Sequence, residues 1–235
     1  MSLQFDCKDF DDVLFQLSEW IMKNFKCNTS KEEDVTITSS SPFYSSDGNI
    51  AKLVKRHPKK MIHLRSIYVE DGEIDRAHYE MIRNGSAEFK FKNVQHEFDH
   101  VRGGCLTSMT ISPERVTIAM RASVIPWNLQ FDLALISDLM RDLGLKPSSI
   151  VFKIGYIRTK VIHALYTFLL YGWKPEDLCS YRFGRSMISA YMRARKPECK
   201  YRNWIRFAGR VDKVREELGI GELSDYLAKA QTTSD

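Results

Sequence analysis

Between residues 10 and 25 the apolar side chains Val13, Leu14, Leu17, Trp20, Ile21 and Met22 recur at intervals of three and four. That spacing predicts an amphipathic helix, which stops at the polar run CNTSKEED. Residues 35–38 alternate like a strand, and SSSPFYSSDGN reads as a loop. After a basic segment at 52–60, residues 62–69 are β-branched enough to be read as a strand. DGE is a turn, and residues 74–83 form a helix stopped by Asn84-Gly85.

The pattern then becomes β-rich. Residues 87–94 alternate, and 105–111 and 115–122 flank the short turn Ser112-Pro113-Glu114 as a hairpin. Phe131, Leu135, Ile136, Leu139 and Met140 return to helical spacing up to Gly144, which suits a C-terminal cap. Residues 150–157 read as a strand, 161–171 as a buried apolar helix, and the rest as helical and basic. Strands interspersed with helices in this way predict an α/β (α+β) class: a mixed twisted sheet with flanking helices. There is no internal repeat and no low-complexity block. One domain spanning 1–235 is expected, with a basic helical segment over about 174–235.

Composition narrows the class. The chain has 235 residues, 43% hydrophobic and 28% charged, as an ordinary globular protein with a substantial core does. Its longest apolar run, 161–172, falls short of the roughly 20 residues a membrane span needs, and MSLQFDCKDFDD does not resemble a signal peptide. A cytoplasmic location without membrane association is therefore expected. The five cysteines, at 7, 27, 105, 179 and 199, have no CxxC spacing and are odd in number, which argues against a disulfide framework or a zinc knuckle. A cysteine that matters here matters singly. The net charge of +5 is modest, but cations gather between Arg182 and Arg210, which suggests an anionic partner.

Three blocks carry a family resemblance. GLKPSSIVFKIGYIRTKVIH, residues 144–163, is similar without a gap to the thymidylate synthase stretch that opens with Gly-Leu-Lys-Pro and runs through a Gly to a terminal His. MRASVIPWNLQFD, residues 120–132, resembles that family's Gln-Arg-Ser segment, with Arg121 on the phosphate-binding Arg and Phe131-Asp132 on a Phe-Asn pair. Asn93-Val94 and Cys105 fall on its Asn-Val and its nucleophilic Cys at the same separation. The resemblance covers the central third of the chain, about 85–165. It implies a thymidylate synthase-like fold, a homodimer joined sheet to sheet, and the cytoplasmic nucleotide chemistry of the thymidylate synthases and deoxycytidylate hydroxymethylases. In that chemistry a cysteine thiolate adds to C6 of a pyrimidine nucleoside monophosphate and activates C5 toward a one-carbon unit.

Carried over residue by residue, the resemblance makes Cys105 the nucleophile and Asp132 the reader of the base. Arg121, Arg102 and Asn93 become substrate-binding residues, and Arg158 and Lys160 line the sugar side. The synthases have Asn where Asp132 stands, whereas the deoxycytidylate hydroxymethylases have Asp, which accepts from the cytosine amino group. A cytidine-type monophosphate, dCMP or CMP, and hydroxymethylation of C5 are therefore implied. An Asp in that place can also serve simply to cap the following helix. The implied donor is 5,10-methylenetetrahydrofolate, yet Val124 occupies the position of the pterin-binding Asp. Ala122 replaces the Ser beside the phosphate-binding Arg, and Gly85-Ser86 replaces a pair of arginines that reach the partner's phosphate. Glu70, Glu73 and Glu80 are the candidates for general acid-base work.

Two further signals are weaker. HEFDH, 96–100, has two histidines at i and i+4, but without a third ligand no metal is expected. The C-terminal segment interleaves Tyr181, Tyr191, Tyr201, Trp204 and Phe207 with its arginines. This is read as an amphipathic helical surface whose aromatics pack inward, and alternatively as a face for nucleic acid in a protein that kept the fold and lost the reaction.

Overall fold

The computed structural model describes residues 3–24, 29–92 and 105–232; side chains are described outside 29–33 and 230–232. The chain is mixed α/β. Its strands form one sheet in the order β1-β2-β7-β5-β4-β3, with β6 pairing β7. Contacts divide the residues into two compact units, one of 1–16, 32–123 and 128–157, the other of 17–31, 124–127 and 158–235.

In the first unit, β1 (Leu3–Cys7) and β2 (Thr29–Ser39) run parallel, connected through helix α1 (Phe10–Asn24). Phe10, at the start of α1, is fully buried edge-to-face against Phe152 of β7 (Ser149–Lys160), ring centroids 5.6 Å apart. β5 (Arg115–Met120) pairs parallel with β7 and antiparallel with β4 (Leu106–Ile111), which pairs antiparallel with β3 (Ala87–Lys90). The sheet is therefore mixed and open. Residues 62–69 differ from the sequence reading: the segment belongs to helix α3 (Pro58–Tyr68), following α2 (Asn49–Arg56). Pro58 stands in its first turn, where a missing N–H costs nothing. His57, Lys60, Leu64 and Tyr68, at intervals of three and four, are among the less exposed residues along it. The helical period outweighed the β-branched composition.

Helix α4 (Glu73–Asn84) ends as expected at Gly85, which takes the left-handed conformation at φ 69°. Asp11 of α1 accepts hydrogen bonds from the N–H groups of Ser45 (2.9 Å) and Ile50 (3.2 Å), fixing the loop that leads into α2. Helix α5 (Leu129–Asp142) is buried over nearly its whole length and packs against α2 and α3. That contact brings α3 to Phe131 and Asp132.

In the second unit, β6 (Ser123–Val124) leads into a segment in which the Ile125 N–H donates to the Arg158 carbonyl at 2.8 Å. Helix α6 (Val161–Leu170) is apolar on almost every side and packs against α8 (Arg182–Ala194) and α9 (Arg202–Glu217). Short α7 (Pro175–Cys179) and α10 (Leu223–Thr232) complete it against α8. Gly184 lets α8 meet the Leu178 carbonyl of α7, where any Cβ would collide with backbone. The Tyr191 hydroxyl donates to Asp212, and Arg195 and Arg215 both bridge to Glu222. Among the described residues no helix is long and apolar enough to cross a membrane.

Candidate functional site

Cys105 stands just before β4 and is held at both ends of its backbone. Its N–H donates to the Tyr68 hydroxyl at 2.7 Å, and its carbonyl accepts from the Arg121 N–H at 2.8 Å. A backbone fixed on both sides gives the thiol a defined origin. The side chain is half-buried rather than enclosed. Immediately beyond it the β4–β5 register shifts between Leu106 and Ser108, and the Thr107 hydroxyl donates to the Ala119 carbonyl at 2.9 Å. Bulges of this kind re-aim side chains at the edge of a site.

Two of the other described cysteines are buried. Burial, reinforced by the carboxylates of Asp12, Asp6 and Asp9, pushes the Cys7 thiol up to about 12, so it stays protonated. Burial also raises Cys179. Cys27 lies outside the described residues.

Arg121 follows the last residue of β5, and its side chain is exposed to solvent. β7 passes close behind it: a Cβ on Gly155 would sit 2.8 Å from the Arg121 carbonyl. That is tighter than real contacts allow, so the Gly within the 144–163 block is required by backbone approach.

Asp132 lies one turn inside α5. The helix N-cap is Asn128, whose carbonyl accepts the Asp132 N–H at 3.1 Å, so the capping role is not the one Asp132 fills. The residue is 3% exposed, and its Oδ2 has no hydrogen-bond partner among the described residues. Burial pushes this carboxyl up to about 7, with Lys60 pulling weakly the other way. A buried carboxyl left with an unsatisfied oxygen is costly unless a ligand satisfies it.

Tyr68 joins these groups. Burial raises its phenol, and the charges of Asp132 and of Cys105 raise it further, so both groups act on Tyr68 within the first unit. Lys60, two turns earlier on α3, sits 3.6 Å above the Phe131 ring, and His57 meets the same ring edge-on at 6.0 Å. α3 thus supplies a phenol and a cation to the surroundings of Cys105 and Asp132. Neither is among the residues singled out from sequence, because Tyr68 falls in 62–69, read as a strand, and Lys60 in the basic segment at 52–60. The spacing His57, Lys60, Leu64, Tyr68 is the signal that would have found them.

Of the residues singled out from sequence, Cys105, Arg121 and Asp132 belong to the first unit. Asn93 and Arg102 lie outside the described residues, as do His96 and His100. Arg158 and Lys160 belong to the second unit, both exposed, with buried Thr159 between them, so the strand presents the two cations on one face. Of the acid-base candidates, Glu73 is tied to Arg76 at 2.6 Å and accepts the Lys90 N–H at 2.8 Å; Arg76 holds its carboxyl below the ordinary range. Glu80 pairs with the same arginine. These are structural ion pairs of α4.

No protein-family profile matches the chain, and no curated protein matches it. The functional reading therefore rests on the residues themselves.

Proposed function

We propose that the chain is a pyrimidine nucleotide C5 transferase of the thymidylate synthase and deoxycytidylate hydroxymethylase type, acting on a cytidine-type monophosphate through a covalent Cys105 adduct. The observation that carries this reading is buried Asp132 with an oxygen left unsatisfied, in the same unit as Cys105 and on a helix packed against α3, whose Tyr68 hydroxyl accepts the Cys105 N–H. A mixed open sheet flanked by helices is compatible with the thymidylate synthase fold and with a sheet-to-sheet homodimer.

Asp132 explains the choice of base. A carboxyl poised at about 7 is substantially protonated near neutrality. Protonated, its O–H donates to cytosine N3 while its other oxygen accepts from the exocyclic amine; ionised, it still accepts from that amine but has no donor for uracil O4. Arg121 takes the 5′-phosphate, for which an exposed guanidinium on a rigid strand end is suited. The Cys105 thiolate adds to C6 and the ring electrons move to C5, which bonds an electrophile, a solvent proton in C5 exchange or a one-carbon unit in transfer; loss of the original C5 hydrogen as a proton and expulsion of the thiolate then restore the aromatic ring. Tyr68 is a positioning residue, holding the Cys105 peptide.

Folate does not fit the residues present. Val124, at the pterin-binding position of the resemblance, is buried and apolar, and neighbouring Ala122 is buried as well. No step is assigned to that donor, and the same replacement favours the second reading, a nucleotide-binding protein that no longer transfers carbon. Tritium release from C5-labelled dCMP, CMP and dUMP, with and without methylenetetrahydrofolate, separates the two. Release from dCMP or CMP that Cys105→Ala abolishes is expected. No release from any nucleotide by the wild-type chain sinks the enzyme reading and leaves the binding one.

A further inference from the structure

Of the C-terminal aromatics, Tyr191 is buried and Phe207 half-buried, but Tyr201 and Trp204 are 70% and 37% exposed, so the expectation that these rings pack inward fails for the last two. Arg202, Arg206 and Arg210 lie on the opposite side of α9 from Trp204, so the rings and those cations do not make one face for nucleic acid. A more completely built surface lies at the edge of the sheet.

Among the described residues β3 is the last strand of the sheet, paired on one side only, with β4. Ala87 and Phe89 are buried, Glu88 and Lys90 exposed. In an antiparallel pair successive residues turn their backbone N–H and C=O alternately toward the neighbour and away from it. On the open side Glu88 and Lys90 present these groups, and the start of α4 meets them. The Lys90 N–H donates to Glu73 Oε1 at 2.8 Å, and the Glu88 carbonyl accepts from the Arg76 guanidinium. The two side chains are locked together by a bidentate pair, Arg76 Nε to Glu73 Oε2 at 2.9 Å and Nη2 to Oε1 at 2.6 Å, and Glu80 takes Nη1. Two residues further along, the Lys92 N–H donates to the Tyr68 carbonyl at 2.8 Å. A carboxylate thus stands where the C=O of an added strand would lie, and a guanidinium where its N–H would lie.

We propose that the Glu73–Arg76 pair is a cap that closes this edge, and that once it is removed a second copy of the chain adds to β3 in an antiparallel two-fold pairing centred on Phe89. In that register Glu88 of each copy stands opposite Lys90 of the other. The outward N–H and C=O of both residues are then exchanged across the pair, and two cross-strand pairs of opposite charge form on the exposed face. Ala87 and Phe89 keep their side chains on the buried face. This self-complementarity favours a second copy over an unrelated extended peptide, which lacks the matching charges. The inference is independent of the chemistry at Cys105 and of a sheet-to-sheet dimer, which uses a face rather than an edge.

Sedimentation equilibrium of the full chain tests it. The uncapped double variant Glu73→Ala with Arg76→Ala is expected at twice the mass of the wild type under the same conditions. Adding Glu88→Lys sets lysines opposite one another and should return the mass to that of the wild type, and adding Lys90→Glu to this restores opposite charges and the doubled mass. Circular dichroism checks that each variant is folded. Should the double variant lose its native spectrum, Arg76→Gln, which removes the charge and the bidentate pair, replaces it with the same outcomes required. Hydrogen exchange reads the cap without association: the Lys90 amide should be protected in the wild type and exchange about tenfold faster in Glu73→Ala at a concentration where that variant stays unassociated. A folded uncapped variant that keeps the mass of the wild type overturns the proposal. So does association that Glu88→Lys leaves untouched, or a wild-type Lys90 amide that exchanges as an open one.

Discussion

Replacing Asp132 by Asn removes an ionisable carboxyl from α5 and keeps its shape. In the folded chain burial raises this group from 3.8 to about 7. The native state therefore holds a proton that the unfolded chain has already released, and folding loses stability as pH rises from the unfolded value to the folded one. Above about pH 7 the whole penalty is present, about 4 kcal/mol for a shift of about three units. Between about pH 5 and about pH 8.5 the penalty should grow by about 2–3 kcal/mol. The Asp132→Asn variant has nothing to ionise at this position, so the difference between the two proteins should widen by that amount in favour of the variant. For a chain of this size it corresponds to a relative gain in Tm of about 5–10 °C across that range. Thermal denaturation of both proteins in matched buffers measures it. A difference that stays flat with pH would refute the burial of an ionisable, unsatisfied carboxyl at this position.

The same variant should move nucleotide preference from dCMP toward dUMP in a competition binding assay, because an amide keeps at every pH the N–H donor that uracil O4 needs and the ionised carboxyl lacks. Tyr68→Phe leaves the Cys105 N–H without its acceptor, costing about 1–3 kcal/mol by denaturant titration, and should slow C5 tritium release further than that loss of folded protein explains. Gly155→Ala drives a methyl against the Arg121 carbonyl and should destabilise by about 1–3 kcal/mol. Gly209→Ala, in the open surface of α9, should instead stabilise by about 0.5–1 kcal/mol, and the two alanines compared in one denaturation series check the sign of each.

The fold was legible where a single period dominated. The 3–4 spacing from Val13 to Met22 became α1, the hairpin around Ser112-Pro113-Glu114 became β4 and β5, and Gly85 and Gly144 ended their helices in left-handed conformations. Other elements were not, α2 among them, which was read only as part of a basic segment. α3 carries Ile62, which is 72% exposed, and its β-branched composition masked a helical face that only the residues from His57 onward complete. β1 was missed because LQFDC is too short to register alternation without knowing that β2 pairs beside it. The site was legible in proportion to motif: Cys105, Arg121 and Asp132 stand in the blocks of resemblance. Tyr68 and Lys60 reach them through the packing of α3 on α5, a tertiary contact that no local pattern encodes. The fate of the C-terminal aromatics likewise depends on where the packing around α9 stops, not on the composition of the helix.

The most direct test of a cysteine adding to a cytosine nucleotide is a crystal structure of the wild-type chain with dCMP. The account predicts the amino edge of the base within hydrogen-bond distance of the Asp132 carboxyl, C6 facing the Cys105 Sγ, and the 5′-phosphate on Arg121. A nucleotide bound elsewhere, or bound with its base edge turned away from Asp132 and C6 out of reach of Cys105, would contradict it.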